Sequence, residues 1–180
     1  YYVALIHSSD INSKVTDFSR QVASRVPALM YDPTNIHTTL ANGYITRGEF
    51  TADPQKLDKL IDLLSGLRSK KVPRLVYHAW LPNQTTTIAA AYADQAFFEL
   101  ALSIHEETRN RGLDLNFPWG SHISASRFTE RRSPDQLEEL FSFVEEAEPL
   151  GESKPVKIAV GIAETTPTSF TLEEHGSIFL

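Results

Sequence analysis

The chain contains no cysteine. Disulfides, thiolate metal ligands and a cysteine nucleophile are therefore excluded from its chemistry. No apolar run approaches the ~20 residues of a membrane-spanning helix, and no cationic leader precedes an apolar stretch. No His-Glu-x-x-His signature or carboxylate cluster supports a hydrolytic metal site. No Gly-x-Ser-x-Gly elbow supports a serine nucleophile. Positive charge is not in excess either. The net charge is −6, whereas a general nucleic-acid binder carries a basic face.

What is present is a globular composition. With 180 residues, 41% of them hydrophobic, the chain suits one domain over 1–180, or two small lobes sharing a core. Linkers and low-complexity segments are absent, and the cytoplasm is the default compartment. Basic residues gather locally at Arg68-Ser69-Lys70-Lys71 and from Arg127 to Arg131-Arg132. As solvated helix ends and loops they need no partner; as a positive mouth they would suit a small or terminal phosphate better than a DNA duplex.

Periodicity orders the elements. Tyr2 to Ile6 reads as a buried strand. A helix opening at Asp10 carries Ile11, Val15, Phe18, Val22 and Val26 on one face and ends at Pro27. A strand over Ile36–Leu40 leads into Ala41 to Ile45, with a turn available at Asn42-Gly43. Asp53 caps a second helix with Pro54 in its first turn and Leu57, Leu60, Ile61, Leu64 and Leu67 as its stripe. Two β-rich runs, Arg74 to Leu81 and Thr85 to Ala91, flank Pro82-Asn83-Gln84. A third helix spans about Asp94 to Arg111, with Gly112 as its C-terminal cap. A strand at Ser121–Ala125 follows. Ser133-Pro134-Asp135-Gln136 forms the capping box of a fourth helix lined by Leu137, Leu140, Phe141 and Val144. Val156 to Ile162 and Thr168 to Leu172 read as a closing hairpin. Helices outside antiparallel strands make the class α+β. The order helix, short link, His-bearing strand, helix occurs twice.

The informative residues lie in the two His-bearing strands, Ile36-His37-Thr38-Thr39-Leu40 and Ser121-His122-Ile123-Ser124-Ala125. Alternation in a strand puts His37 and Thr39 on one face, and His122 and Ser124 on one face, with apolar neighbours behind. An imidazole beside a hydroxyl, delivered twice, suits acid/base attack on a phosphate ester. One histidine takes a proton from the nucleophile, the other protonates the leaving oxygen, and the hydroxyls hold the phosphate. His7-Ser8-Ser9 and His175-Gly176-Ser177 also fit His-x-Ser/Thr, but neither sits inside a strand with an apolar opposite face. His7 and His78 are candidates for the cleft rim and wall, and His105 for solvent. Tyr44, Phe117, Trp119 and Phe128 flank the motifs as aromatics that would stack on a base or serve the core.

On these motifs the chain resembles the 2H phosphoesterase superfamily, which includes 2′-5′ RNA ligase-like proteins and cyclic phosphodiesterases. His37-Thr38-Thr39-Leu40 matches the His-x-Thr-apolar form. His122-Ile123-Ser124-Ala125 uses Ser where Thr is more usual. Arg127 occupies a position, five after the second histidine, that is often basic in the ligase-like branch. Strict alternation would point it away from His122, so a role for it requires the strand to end or bulge. The resemblance implies a bilobal fold with pseudo-two-fold symmetry, a central cleft lined by antiparallel sheets, and no metal or other cofactor. It implies action on 2′,3′-cyclic phosphates, cyclic nucleotides or RNA ends, with His37 as acid, His122 as base, and Thr39, Ser124 and Arg127 on the phosphate. The expected protein is a monomeric cytoplasmic enzyme of RNA or nucleotide processing with no membrane partner. The alternatives are a non-catalytic nucleotide-binding module on the same scaffold and an unrelated α+β protein with coincidental motifs.

Overall fold

The computed structural model describes residues 1–43, 50–68 and 70–180. In chain order these form β1 (Tyr2–Ile6), α1 (Ser9–Ala23), β2 (Ala28–Met30), β3 (Thr38–Asn42), α2 (Pro54–Leu67), β4 (Leu75–Pro82), β5 (Thr86–Ala93), α3 (Gln95–Asn110), β6 (His122–Phe128), α4 (Pro134–Glu146), β7 (Gly151–Ser153), β8 (Lys157–Thr165) and β9 (Phe170–Phe179).

Local chemistry accounts for the helix starts. Asp53 accepts from the Gln55 N–H with Pro54 in the first turn, and Asp94 accepts from the Phe97 N–H. Ser133 and Gln136 close a reciprocal capping box. Each such cap typically stabilises by ~1 kcal/mol. Gly112, with φ of 69°, takes the left-handed turn that ends α3 at no steric cost. Helix α1 stops at Ala23, short of Pro27, although Val26 is still buried. In α2 Ile61 is exposed and Leu63 is buried instead; in α4 Phe141 is exposed while Phe143 turns inward and stacks on Phe18 at 5.2 Å. The three-residue strands β2 and β7 were not expected, and β9 runs well past Leu172. A three-residue strand is too short for alternation to register. The Tyr44 and Ile45 end of the expected run lies outside the described residues.

The strands pair antiparallel in one sheet of order β7-β4-β5-β6-β3-β1-β8-β9, with β2 beside β6. Two units repeat the pattern strand, helix, strand, helix, strand: β1-α1-β3-α2-β4 and β5-α3-β6-α4-β8. Each unit sends its last strand to the other, since β4 pairs with β5 and β8 with β1. The two halves meet where β3 joins β6. This is the α+β, two-fold arrangement that the element order led us to expect.

The sheet is curled. Strand β4 is three positions from β3, which in a flat sheet is about 14 Å at ~4.8 Å per strand. Yet the Tyr77 hydroxyl lies 2.6 Å from the Thr38 hydroxyl, so the core face closes on itself. That face buries Val3, Leu5, Ile36, Leu40, Tyr77, Trp80, Ala89, Ile123, Ile158 and Val160 against the stripes of the four helices. Complete burial of one such leucine or isoleucine stabilises by roughly 1.5–3 kcal/mol. The other face carries the motif residues. Among the described residues, no helix is long and apolar enough to cross a membrane.

Candidate active site

Strand β3 begins at Thr38, so His37 stands one residue before it, and His122 is the first residue of β6. Burial follows the expected alternation. Ile36, Thr38 and Leu40 are buried while His37 and Thr39 are half-buried; Ile123 and Ala125 are buried while His122 and Ser124 are half-buried. The strands join antiparallel with Thr38 opposite Ile123. Continuing that register one residue each way sets His37 beside Ser124 and Thr39 beside His122. The histidines occupy one diagonal of this quartet, about 7–8 Å apart at Cα, and the hydroxyls occupy the other.

The His37 ring is oriented from behind by the backbone. His37 Nδ1 lies 2.8 Å from the carbonyl oxygen of Asn35, and the backbone of Gly120 holds up the pKa of His122. In each case the backbone group that raises the pKa lies two residues earlier in the chain. A carbonyl can only accept, so Nδ1 of His37 carries the proton and its neutral form presents the lone pair of Nε2. Burial is the largest influence on both and lowers both pKa values, while the backbone bonds raise them; charge on His122 further lowers that of His37. In the free protein both imidazoles are therefore neutral at neutral pH.

Arg127 reaches the site through a bulge. Thr87 pairs with Ser126 and Ile88 with Ser124, which leaves Ala125 without an opposite residue. Ala125 and Ser126 are both buried, and the alternation resumes out of phase, returning Arg127 to the face of His122. The positive charge of Arg127 acts on Tyr31, and its guanidinium stands 5.7 Å from the Phe170 ring centroid. Its buried Nε has no partner among the described residues.

The aromatic candidates separate. Trp119 is 83% exposed with its ring 5.4 Å from that of His122. Phe117 lies against His105 on α3 at 5.9 Å. Phe128, one residue past Arg127, packs against the core, and its ring is covered by Arg132 at 4.2 Å. It does not stand with His122. Tyr44 lies outside the described residues. Sequence reasoning missed Phe170, which stacks on Tyr31 at 5.2 Å and lies 6.1 Å from the His37 ring. It also missed Tyr2, whose ring lies 6.3 Å from that of His37. Phe170 is carried in by the tip of the closing hairpin, whose backbone carbonyl accepts from Asn35 Nδ2 at 2.9 Å. No local pattern marks that contact.

The remaining histidines stand apart. His7 is not at a rim: it is buried on the opposite face of the sheet, bonded to Thr38 and Ser153. His78 is exposed in a bulge of β4 and stacks on Tyr92 at 3.9 Å. His105 is half-buried against Phe117 rather than solvated, and His175 lies 3.3 Å from Glu173. Among the described residues no group of three or more His, Cys, Asp or Glu is placed to hold a metal ion. Arg132 is committed to the Phe128 ring and to the carbonyls of Gln84 and Glu130. Of the cluster from Arg127 to Arg132, Arg127 shares the face of His122 and stands 5.7 Å from the Phe170 ring that neighbours His37.

Neither a protein-family model nor a curated protein matches the chain. Solved structures do. TT0787 of Thermus thermophilus superimposes with a TM-score of 0.69 at 17% identity, over 99% of this chain and 96% of that one. A phosphoesterase matches at 0.64 and 14%, over 99% and 96%. Escherichia coli LigT in its apo form matches at 0.64 and 14%, over 99% and 95%; LigT has also been solved with ATP, NADP+, phosphate and 3′-AMP. Identities this low carry the fold and not the chemistry. The chain shares the fold of TT0787, of that phosphoesterase and of LigT, the fold that its paired motifs led us to expect.

Proposed function

We propose that the protein is a metal-independent phosphodiesterase that opens a 2′,3′-cyclic or related phosphate on a nucleotide or RNA end. The observation that carries this reading is the pairing of Thr38 with Ile123, the central residues of the two motifs, which brings both histidine motifs to one seam. The arrangement presents two imidazoles and two hydroxyls to one tetrahedral group. The nucleotide complexes of LigT, a protein of the same fold, support a nucleotide ligand.

In the proposed step, one neutral imidazole removes a proton from water as its oxygen attacks phosphorus. The other, protonated, gives its proton to the departing ribose oxygen, so the cyclic diester becomes a monoester. Transfer to a ribose hydroxyl in place of water gives the ligase-like variant. Thr39 and Ser124 donate to the non-bridging oxygens as charge develops, and Arg127 supplies a fixed positive charge. Burial leaves both histidines neutral in the free protein, so the acid must be charged by its substrate. A phosphate anion within ~4–6 Å favours the imidazolium. His37, enclosed by Tyr2 and Phe170, suits the acid facing the nucleoside. His122, beside the exposed Trp119, suits the base that draws on solvent water.

The test is hydrolysis of a 2′,3′-cyclic mononucleotide in excess EDTA by wild type, His37→Ala and His122→Ala. Turnover that survives chelation and is lost in both variants is the expected result. Nucleotide binding without turnover would favour the non-catalytic module. Turnover unaffected by either substitution would overturn the site.

A further inference from the structure

Directly behind the first motif lies a buried polar chain that the proposed reaction does not use. His7 Nδ1 is 2.8 Å from Ser153 Oγ, and His7 Nε2 is 3.0 Å from Thr38 Oγ1. The Thr38 hydroxyl is in turn 2.6 Å from the Tyr77 hydroxyl, which lies 3.3 Å from His7 Nε2. All four residues are at most 2% exposed. The Asn12 side-chain amide donates to the His7 carbonyl at 3.4 Å. A hydroxyl and an imidazole in an apolar interior cost stability unless each is bonded, and here they bond to one another.

The origin of the four residues matters more than their burial. His7 and Thr38 belong to the half that carries His37, following β1 and opening β3. Tyr77 and Ser153 belong to β4 and β7, in the half that carries His122. Thr38 is the residue between His37 and Thr39, and it is also the one paired with Ile123 at the seam. Backbone pairing at the seam is slight, so a shift of β3 against β6 would slide one imidazole past the other. A misplacement of ~1 Å at a reacting group can cost about 10²-fold in rate.

We propose that the Thr38–His7–Tyr77–Ser153 chain is a strut between the two halves that sets the spacing of His37 and His122. These are positioning residues that act through β3 and never touch substrate. The hydroxyl of Thr38, at the variable place of the first motif, is the joint of the strut. The turnover part of this inference rests on the two-histidine reading; the structural part does not.

The experiment compares wild type, Thr38→Val, Thr38→Ser and Tyr77→Phe. Each is measured by turnover of a 2′,3′-cyclic nucleotide and by the NMR resonances of the His37 and His122 imidazoles, which need no turnover. Expected are roughly 10- to 100-fold losses of kcat in Thr38→Val and Tyr77→Phe, with KM changed less than about threefold. Thr38→Ser, which keeps the hydroxyl, should restore kcat. The resonances of both histidines should move in the Val and Phe variants and return in the Ser variant. The strut is refuted if Tyr77→Phe and Thr38→Val fold with a lowered Tm while the resonances of both histidines stay at their wild-type positions. An inactive wild type would defeat the functional reading, and the resonances would still decide the strut.

Discussion

Thr38 and Ile123 face each other where the two motif strands meet, so the central residue of one His-x-Thr/Ser motif is paired with the central residue of the other. An antiparallel pair has a local two-fold axis, and here that axis passes between the motifs. Regular pairing continued from that axis sets each imidazole beside the other motif's hydroxyl. Alternation within each strand and pairing between strands together produce the quartet, and neither does so alone.

The two hydroxyls are not equivalent to their histidines. A donor aimed at developing charge contributes to the transition state more than to ground-state binding. Thr39→Val and Ser124→Ala should each lower kcat by on the order of 10²-fold, with circular dichroism unchanged. Losses confined to KM would instead assign the hydroxyls to simple binding.

The pH dependence has a definite sign. Burial lowers the pKa of both histidines in the free protein. The kcat/KM profile, which reports the free enzyme, should be a bell displaced to the acid side of the ordinary histidine value of ~6.5. Bound phosphate raises the pKa of the acid, so the alkaline limb of kcat should lie at higher pH than that of kcat/KM. Coincident limbs in the two profiles would remove the phosphate from this account.

His7 should make the fold acid-sensitive. Burial, with charge on His37 as a smaller cause, pushes its pKa down to about 3. Unfolded His7 binds its proton near ~6.5, whereas the native ring stays neutral down to about 3, so the unfolded state holds the extra proton between those values. Stability due to this group is complete above ~6.5 and falls as the pH drops, by about 1.4 kcal/mol per unit. Urea denaturation followed from about pH 7 to about pH 4 should show that slope in wild type. His7→Gln, which does not titrate, should be less stable at neutral pH but show a shallower decline.

Arg127 depends on the Ala125 bulge for its direction. Arg127→Ala should raise KM for an anionic substrate by about tenfold or more, since a charge-assisted hydrogen bond is worth roughly 1.5–3 kcal/mol. Deletion of Ala125 removes the extra residue and leaves Ser124, Ser126 and Arg127 in plain alternation with Arg127 still on the site face, so KM should change far less than in Arg127→Ala. A wild-type KM in Arg127→Ala would show that Arg127 has no part in the site.

Much of the fold was legible because it is written in short-range chemistry. The caps at Asp53, Asp94 and Ser133 and the left-handed Gly112 announce themselves locally. The alternation that set His37 with Thr39 and His122 with Ser124 needs only strand geometry. The bulge was legible as a requirement but not as an event: Arg127 needed one, yet nothing in Ser-Ala-Ser-Arg says where the ladder slips. Phe128 is the complementary case. Once Arg127 returns to the site face, the next residue must turn to the core, and a slip of one residue reverses every side chain beyond it.

The sequence by itself determined which segments become strands and helices, and which face of each strand carries an imidazole and a hydroxyl. Those properties depend on neighbours within a few positions. Only the tertiary structure decided that the two motifs meet at Thr38 and Ile123, that Phe170 reaches His37 from the closing hairpin, and that His7 supports the site from behind. These contacts join residues 31 to 146 positions apart. They arise from the curl of the sheet, which only the packing of all its strands and helices together can set.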